Sequence, residues 1–226
     1  MPCGNLADLD KIPSRSIVTL CGRETRLRAQ KPEGARADVR RQQILSAAAK
    51  CFRDHGFHGA SISQICKAAG MSAGHIYHYF ENKEAIISEI VDQDLEHRLA
   101  LTEAFRAAAS SRSTLKAHIA GAVARQLDAD AAALKVEIIA EAGRNPRVAE
   151  IIRKADEIGR AELAYAIRDI RVCAGHDDHP DTIDEMVELF SALYGGVLMR
   201  SITNPSVAPN ALSDRIVSVI EATLYG

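Results

Sequence analysis

Residues 61–80 read SISQICKAAGMSAGHIYHYF. Ser61-Ile62-Ser63-Gln64 fits a capping box, in which the serine hydroxyl and the glutamine amide satisfy each other's backbone N–H groups, so a helix is expected to start there and reach Ala69. Gly70 permits a tight turn, and Ser72 is placed to cap another short helix through about Tyr79. Ile62, Ile65 and Ile76, with the small Ala69 at the closest approach, would hold the two helices together in a helix-turn-helix arrangement. Ala73, Gly74, His75, Tyr77, His78 and Tyr79 are then left for the outside, while Phe80 is expected in the core. A buried helix would carry aliphatics at those outer positions and a solvated one would carry charges. Donors and flat apolar rings instead suit phosphate oxygens and base edges in a major groove.

Working outward, Ile44, Ala48, Cys51 and Phe52 share one face of a helix expected over about 37–55, with Gly56 as its stop. Asn82 is placed to cap a long helix to about Ala108. Further helices are expected over about 113–128, 130–143, 146–173, 180–203 and 210–224, the third of these opened by Asn145 as cap and Pro146 at the first helical position. Nothing alternates with period two over a strand's length, so the fold class is all-α with about nine helices. Residues 1–35, with Pro2, Pro13 and Pro32 and glycines at 4, 22 and 34, show no periodicity and are expected to be a disordered basic arm. The expected domains are thus 36–82, carrying the helix-turn-helix, and 83–226, a second helical domain.

At 226 residues, 47% hydrophobic and 26% charged, the chain has the composition of a soluble globular protein. It contains no apolar run near the ~18 residues of a membrane span, and Ile17–Cys21 is shorter than a signal-peptide core of ~7 to 15 residues, so a cytoplasmic location is expected. Five cysteines, at 3, 21, 51, 66 and 173, form no C-x-x-C pair and read as reduced thiols. Charge is unevenly distributed. Residues 1–83 hold 13 Lys and Arg against 7 Asp and Glu, whereas residues 84–226 hold 15 against 23. A basic first third on an acidic body suggests that one end meets a polyanion.

The segment from about Arg40 to Ile90, including ILSAAAKCFRDHGFHGASISQICKAAGMSAGHIYHYFENKEAII, resembles the DNA-binding domain of the TetR (tetracycline-repressor-like) transcriptional regulators. The AAGMSAG turn, the IYHYF end of the recognition helix and the NKEAI start of the fourth helix fall at the family's spacing. The resemblance implies phosphate contacts from Ser61, Tyr77, His78, Tyr79 and Lys83, the last adding its charge to the positive end of a helix dipole. It implies that Ser63, Ser72, Ala73, Gly74 and His75 face the groove. Ala73 stands where many members carry Lys or Arg, and His75 where Thr or Ser is common, so no known operator transfers. Arg36, Arg40 and Arg41 read either as an N-terminal arm reaching the DNA or as an ordinary solvated helix start.

By the same resemblance the body carries a ligand pocket and dimerises through its last two helices. Met186, Phe190, Leu193 and Val197 on one, with Leu212, Ile216, Val219 and Ile220 on the other, are the expected interface, and Ser191, Ala192, Gly195 and Gly196 are small enough for close approach. Phe105, Tyr165, Phe190 and Tyr194 are candidates to line a cavity. Glu137 and Glu141 could face a cationic ligand or be solvated. His176-Asp177-Asp178-His179 has metal-ligand residue types but reads better as a flexible polar loop, since closed sites usually take four ligands.

The expected function is a ligand-responsive regulator, most often a repressor in the resembled family, binding a palindromic double-stranded operator as a homodimer and taking a small-molecule effector, with no cofactor. Two alternatives stand beside it. One is a metal-dependent hydrolase using His176 and His179, although G-x-S-x-G, H-E-x-x-H and phosphate-cradling glycine patterns are missing. The other is a dimer of the same fold without specific DNA binding.

Overall fold

The computed structural model describes residues 32–108, 111–204 and 206–226. The arm expected over residues 1–35 lies, up to residue 31, outside the described residues. The chain divides into two units, the second running over Val39–Gly226. The described residues of the first are helical.

Among the described residues there are nine helices and no strand: α1 (Pro32–Gly59), α2 (Ile62–Ala69), α3 (Ala73–Tyr79), α4 (Lys83–Ala108), α5 (Arg112–Gln126), α6 (Ala129–Ala142), α7 (Pro146–Cys173), α8 (Pro180–Thr203) and α9 (Pro209–Tyr225). Their starts follow from capping side chains. Asn82 Oδ1 accepts from the Ala85 N–H at 2.8 Å, Asp128 Oδ1 from Ala131 at 2.8 Å and Asn145 Oδ1 from Arg147 at 3.1 Å. α1 starts five residues before its expected first residue because a proline is tolerated in the first helical turn, so Pro32 does not break it. It leaves the helical path at Gly56, at φ 69° and ψ 165°, a conformation essentially confined to glycine.

Two hydrophobic clusters form the interior. The first joins Ile44, Ala48 and Phe52 of α1 to Ile65, Ala69, Ile76 and Phe80, and is completed by Ile86 and Ile87 of α4, Ile138 of α6 and Val148 of α7. The helix-turn-helix core therefore borrows apolar side chains from beyond residue 82. Burying each large aliphatic side chain contributes roughly 1.5–3 kcal/mol. Cys51 sits in this cluster, and burial pushes its thiol up, which keeps it protonated and inert. The second cluster draws on α5, α7, α8 and α9, with Leu115, Ile167, Ile183, Phe190, Val197 and Val217 among its members.

The loop expected to be flexible is pinned. Buried Arg171 donates from Nε to the Asp177 carbonyl at 3.0 Å and from Nη1 to the Leu224 carbonyl at 3.0 Å, tying the end of α7 to the end of α9. Asp177 Oδ1 in turn accepts from the His179 N–H at 3.1 Å.

Candidate nucleic-acid interface and interior cavity

Both halves of the capping box form. The Gln64 N–H donates to Ser61 Oγ at 3.2 Å, and the Ser61 N–H donates to Gln64 Oε1 at 2.7 Å. Gly70 takes the left-handed conformation at φ 63° and ψ 36°, and the Met71 N–H then reaches back to the Cys66 carbonyl at 3.0 Å. Ser72 Oγ accepts from the His75 N–H at 3.3 Å to start α3. Ile76 is wholly buried and fastens α3 to the core, while Ser61, Ser63, Ser72, Ala73, Gly74, His75, Tyr77 and His78 are exposed. Tyr79 is half-buried, its ring 5.6 Å from that of His75 and 5.1 Å from that of His78. A Cβ on Gly74 would meet nothing within 4 Å, so the intact fold leaves open space at the start of α3.

Lys83 is half-buried and partly committed inside the fold. Its Nζ donates to the carbonyls of Phe57 at 2.6 Å and Ala60 at 2.9 Å and lies 4.3 Å from the Phe57 ring centre. An ammonium has three donors, so one is left for an outside acceptor. Lys83→Met keeps the stem but frees both carbonyls, and should lower stability by about 1–2 kcal/mol in chemical denaturation. The three arginines of the expected arm separate. Arg36 and Arg40 are exposed, but Arg41 turns to α4, 2.7 Å from Glu89 Oε2 and 5.1 Å from the Phe80 ring centre.

Glu137 and Glu141 are neither solvated nor in a cavity; they meet the end of α1. Glu137 Oε1 accepts from the Phe57 N–H at 2.9 Å, the backbone donor that the bend at Gly56 releases. Glu141 is fully buried, with Oε2 3.2 Å from His58 Nε2 and 3.4 Å from Arg144 Nη2. Nothing in the four-residue spacing of the two glutamates signals this, because the partner donor exists only once α1 bends.

A cavity of about 190 Å³ lies between α4, α5, α7, α8 and α9. Phe105, Phe190 and Tyr194 line it as expected. Tyr165 does not; it is exposed, with the Arg106 guanidinium 5.5 Å from its ring centre. Burial, reinforced by Asp94, pushes the Tyr194 phenol up, so it lines the cavity as a neutral donor. Arg98, His118 and Arg160 also line the cavity and were not anticipated. Their available signal was Gly159, a glycine inside the long helical pattern of α7, where close approach by another group is the usual reason.

The expected interface residues are also redistributed. Phe190, Leu193, Val197, Ile216 and Ile220 line the cavity, and Leu212 is half-buried beside the second cluster, so they face inward. The outward apolar residues are Leu189, Met199 and Ile202 of α8 and Val219 of α9. Ala192, Gly195 and Gly196 share that exposure, and a Cβ on either glycine would meet nothing within 4 Å. Both helices are apolar on two sides, and periodicity alone does not say which side meets the chain's own core.

The metal reading finds no support in the loop: among the described residues no group of three His, Cys, Asp or Glu side chains converges. No helix of the described residues is long and apolar enough to cross a membrane.

An all-helical chain with a capped helix-turn-helix at one end and a lined cavity in the body describes a class of bacterial DNA-binding regulators. Residues 44–90 match the family described as "Bacterial regulatory proteins, tetR family", and residues 111–224 match "BetI-type transcriptional repressor, C-terminal". The HTH-type transcriptional regulator UidR of Escherichia coli (strain K12) is 37% identical over 134 residues, covering 59% of this chain and 67% of UidR. Among solved structures, Salmonella enterica GusR superposes with a TM-score of 0.63 at 29% identity, over 83% of this chain and 96% of that one. FadR from Bacillus subtilis, solved in complex with stearoyl-CoA, gives 0.65 at 19% identity over 79% and 96%, a likeness of fold. The chain belongs to the TetR family and is a DNA-binding transcriptional regulator.

Proposed function

We propose that this protein is a cytoplasmic, homodimeric repressor that reads a palindromic operator with α3 and releases it when a small molecule fills the cavity. Residues 36–82 form the DNA-reading part and residues 83–226 the effector and dimerisation part. The carrying observation is the division of α3: Ile76 is buried in the core while His75, Tyr77 and His78 stay exposed beside the open space at Gly74. In this reading His75, with Ser63, Ser72, Ala73 and Gly74, meets base edges, and Arg40, Ser61, Tyr77, His78, Tyr79 and the third proton of Lys83 meet phosphates. The outward stripe of Leu189, Ala192, Gly196 and Met199 lets α8 approach its symmetry mate, with Val219 of α9 alongside. Two recognition helices would then lie about 34 Å apart on one face of the duplex.

The test is a titration of the purified protein against the intergenic DNA beside its own gene, with a scrambled duplex as control, at two salt concentrations. Specific binding at least about 10³-fold tighter than the control is expected. His75→Ala should weaken operator binding by about 10- to 100-fold and leave the scrambled duplex unaffected, whereas Tyr77→Ala should weaken both. Equal affinity for the two duplexes, lost with modest salt, would leave only a basic surface and sink the operator reading.

A further inference from the structure

Among the described residues, four side-chain polar atoms shut off from solvent have no hydrogen-bond partner: Arg98 Nε, Arg160 Nε, Glu141 Oε1 and Ser213 Oγ. Two of the four are guanidinium donors, one on α4 and one on α7, and both arginines line the cavity. Neither donor is satisfied by its residue's ion pair. Arg98 Nε lies 3.3 Å from Asp94 Oδ2 but is not aligned for a hydrogen bond, and Asp94 is shared with Lys135 Nζ at 2.7 Å. Arg160 meets Glu188 through Nη2, which leaves Nε unmatched. Both arginines are thus held at the cavity wall by ion pairs that leave part of their donor capacity unused, and an acceptor inside the cavity can draw on the rest.

Gly159 lets Arg98 close against α7. A Cβ at that position would sit 2.9 Å from Arg98 Nη1, so the missing side chain admits the guanidinium against α7, one residue from Arg160. The remaining lining is mostly apolar, with Phe105, Ile119, Val123, Leu163 and Phe190 contributing, and His118 and Tyr194 add further donors. Asp156 is the lining's single carboxylate, and it is exposed. As to size, a cavity of about 150 Å³ is known to hold benzene, so about 190 Å³ accommodates a ring bearing one small polar group.

Resting on the reading of this cavity as the effector site, we propose that its ligand is a ring-sized organic carboxylate whose two oxygens accept from Arg98 and Arg160 while the ring lies among the apolar side chains. An ionised carboxylate is acceptor-only and offers both oxygens, which matches two donors. An amide of the same shape offers one acceptor and brings donors that would face the guanidinium groups.

The test is isothermal titration of the full chain with benzoate, benzamide and indole. Benzoate should bind at least about 10-fold tighter than benzamide, the worth of a charge-assisted hydrogen bond. Arg98→Met and Arg160→Met should each cut benzoate affinity by about 10- to 100-fold and leave indole unchanged. Gly159→Ala serves as a variant that keeps the fold: alanine favours the helix, and the atom it displaces is the end of a flexible side chain, so benzoate affinity should fall while the circular dichroism spectrum is retained. Benzamide binding as tightly as benzoate, or full benzoate affinity in the arginine variants, would overturn the carboxylate assignment. Indole binding without benzoate would overturn it too while leaving an effector cavity in place, and silence from all three probes would remove both.

Discussion

Ile76→Ala is expected to destabilise the protein by about 2–5 kcal/mol and to abolish sequence-specific DNA binding. Ile76 is wholly buried and is the buried side chain through which α3 joins the cluster built by Ile44, Phe52, Ile65 and Ile86, with half-buried Tyr79 packed beside it. A helix of 7 residues has too few internal hydrogen bonds to persist alone, so its orientation depends on that anchor. Ile76→Val should cost only about 0.5–1.5 kcal/mol and retain operator binding, because the branched Cβ still fills most of the site. Denaturation midpoints and operator titrations on the two variants provide the check. An alanine variant that kept operator affinity would show that α3 is held by something other than this contact.

Gly56→Ala should cost about 2–4 kcal/mol, combining backbone strain with an orphaned donor. At φ 69° and ψ 165° an L side chain is strained whatever space surrounds it. The added Cβ would also lie 3.2 Å from Glu137 Oε1 and push the carboxylate away from the Phe57 N–H. Gly74→Ala is the matched control. That site is helical and open, so stability should be unchanged or slightly raised and any loss should appear in DNA affinity alone. Thermal melts compared with operator titrations separate the two, and equal melting temperatures for both variants would refute the account of Gly56.

Local chemistry was legible in the sequence. Ser61 with Gln64, Ser72, Asn82 and Asn145 each mark a helix start, and the structure places a helix at every one. The division of α3 was legible as well, since one isoleucine among polar and aromatic residues leaves little choice of inward face. What escaped the sequence depends on partners far along the chain. In the sequence Glu137 and Glu141 fit either a cationic ligand or solvent, because their partners at Phe57 and His58 are some 80 residues away. Arg98 and Arg160 carry no signal of their own in the sequence, because the cavity they line is assembled from helices far apart along the chain. On α8 and α9 the sequence offered apolar residues on more than one side, and only packing assigns Phe190 inward and Met199 outward.

α4 lines the cavity, through Arg98 and Phe105, and reaches the DNA-reading end, through Lys83. At about 1.5 Å per residue, Arg98 and Lys83 are roughly 22 Å apart along the same rod. A tilt of about 5° pivoting near Arg98 would carry the Lys83 end about 2 Å sideways. The grip of Lys83 on the carbonyls of Phe57 and Ala60 would draw the end of α1 along with it. In a two-fold pair the displacement doubles to about 4 Å against a spacing of about 34 Å, more than the length of a hydrogen bond. Leverage would thus let a ring-sized ligand in the proposed effector site act on a duplex it never touches.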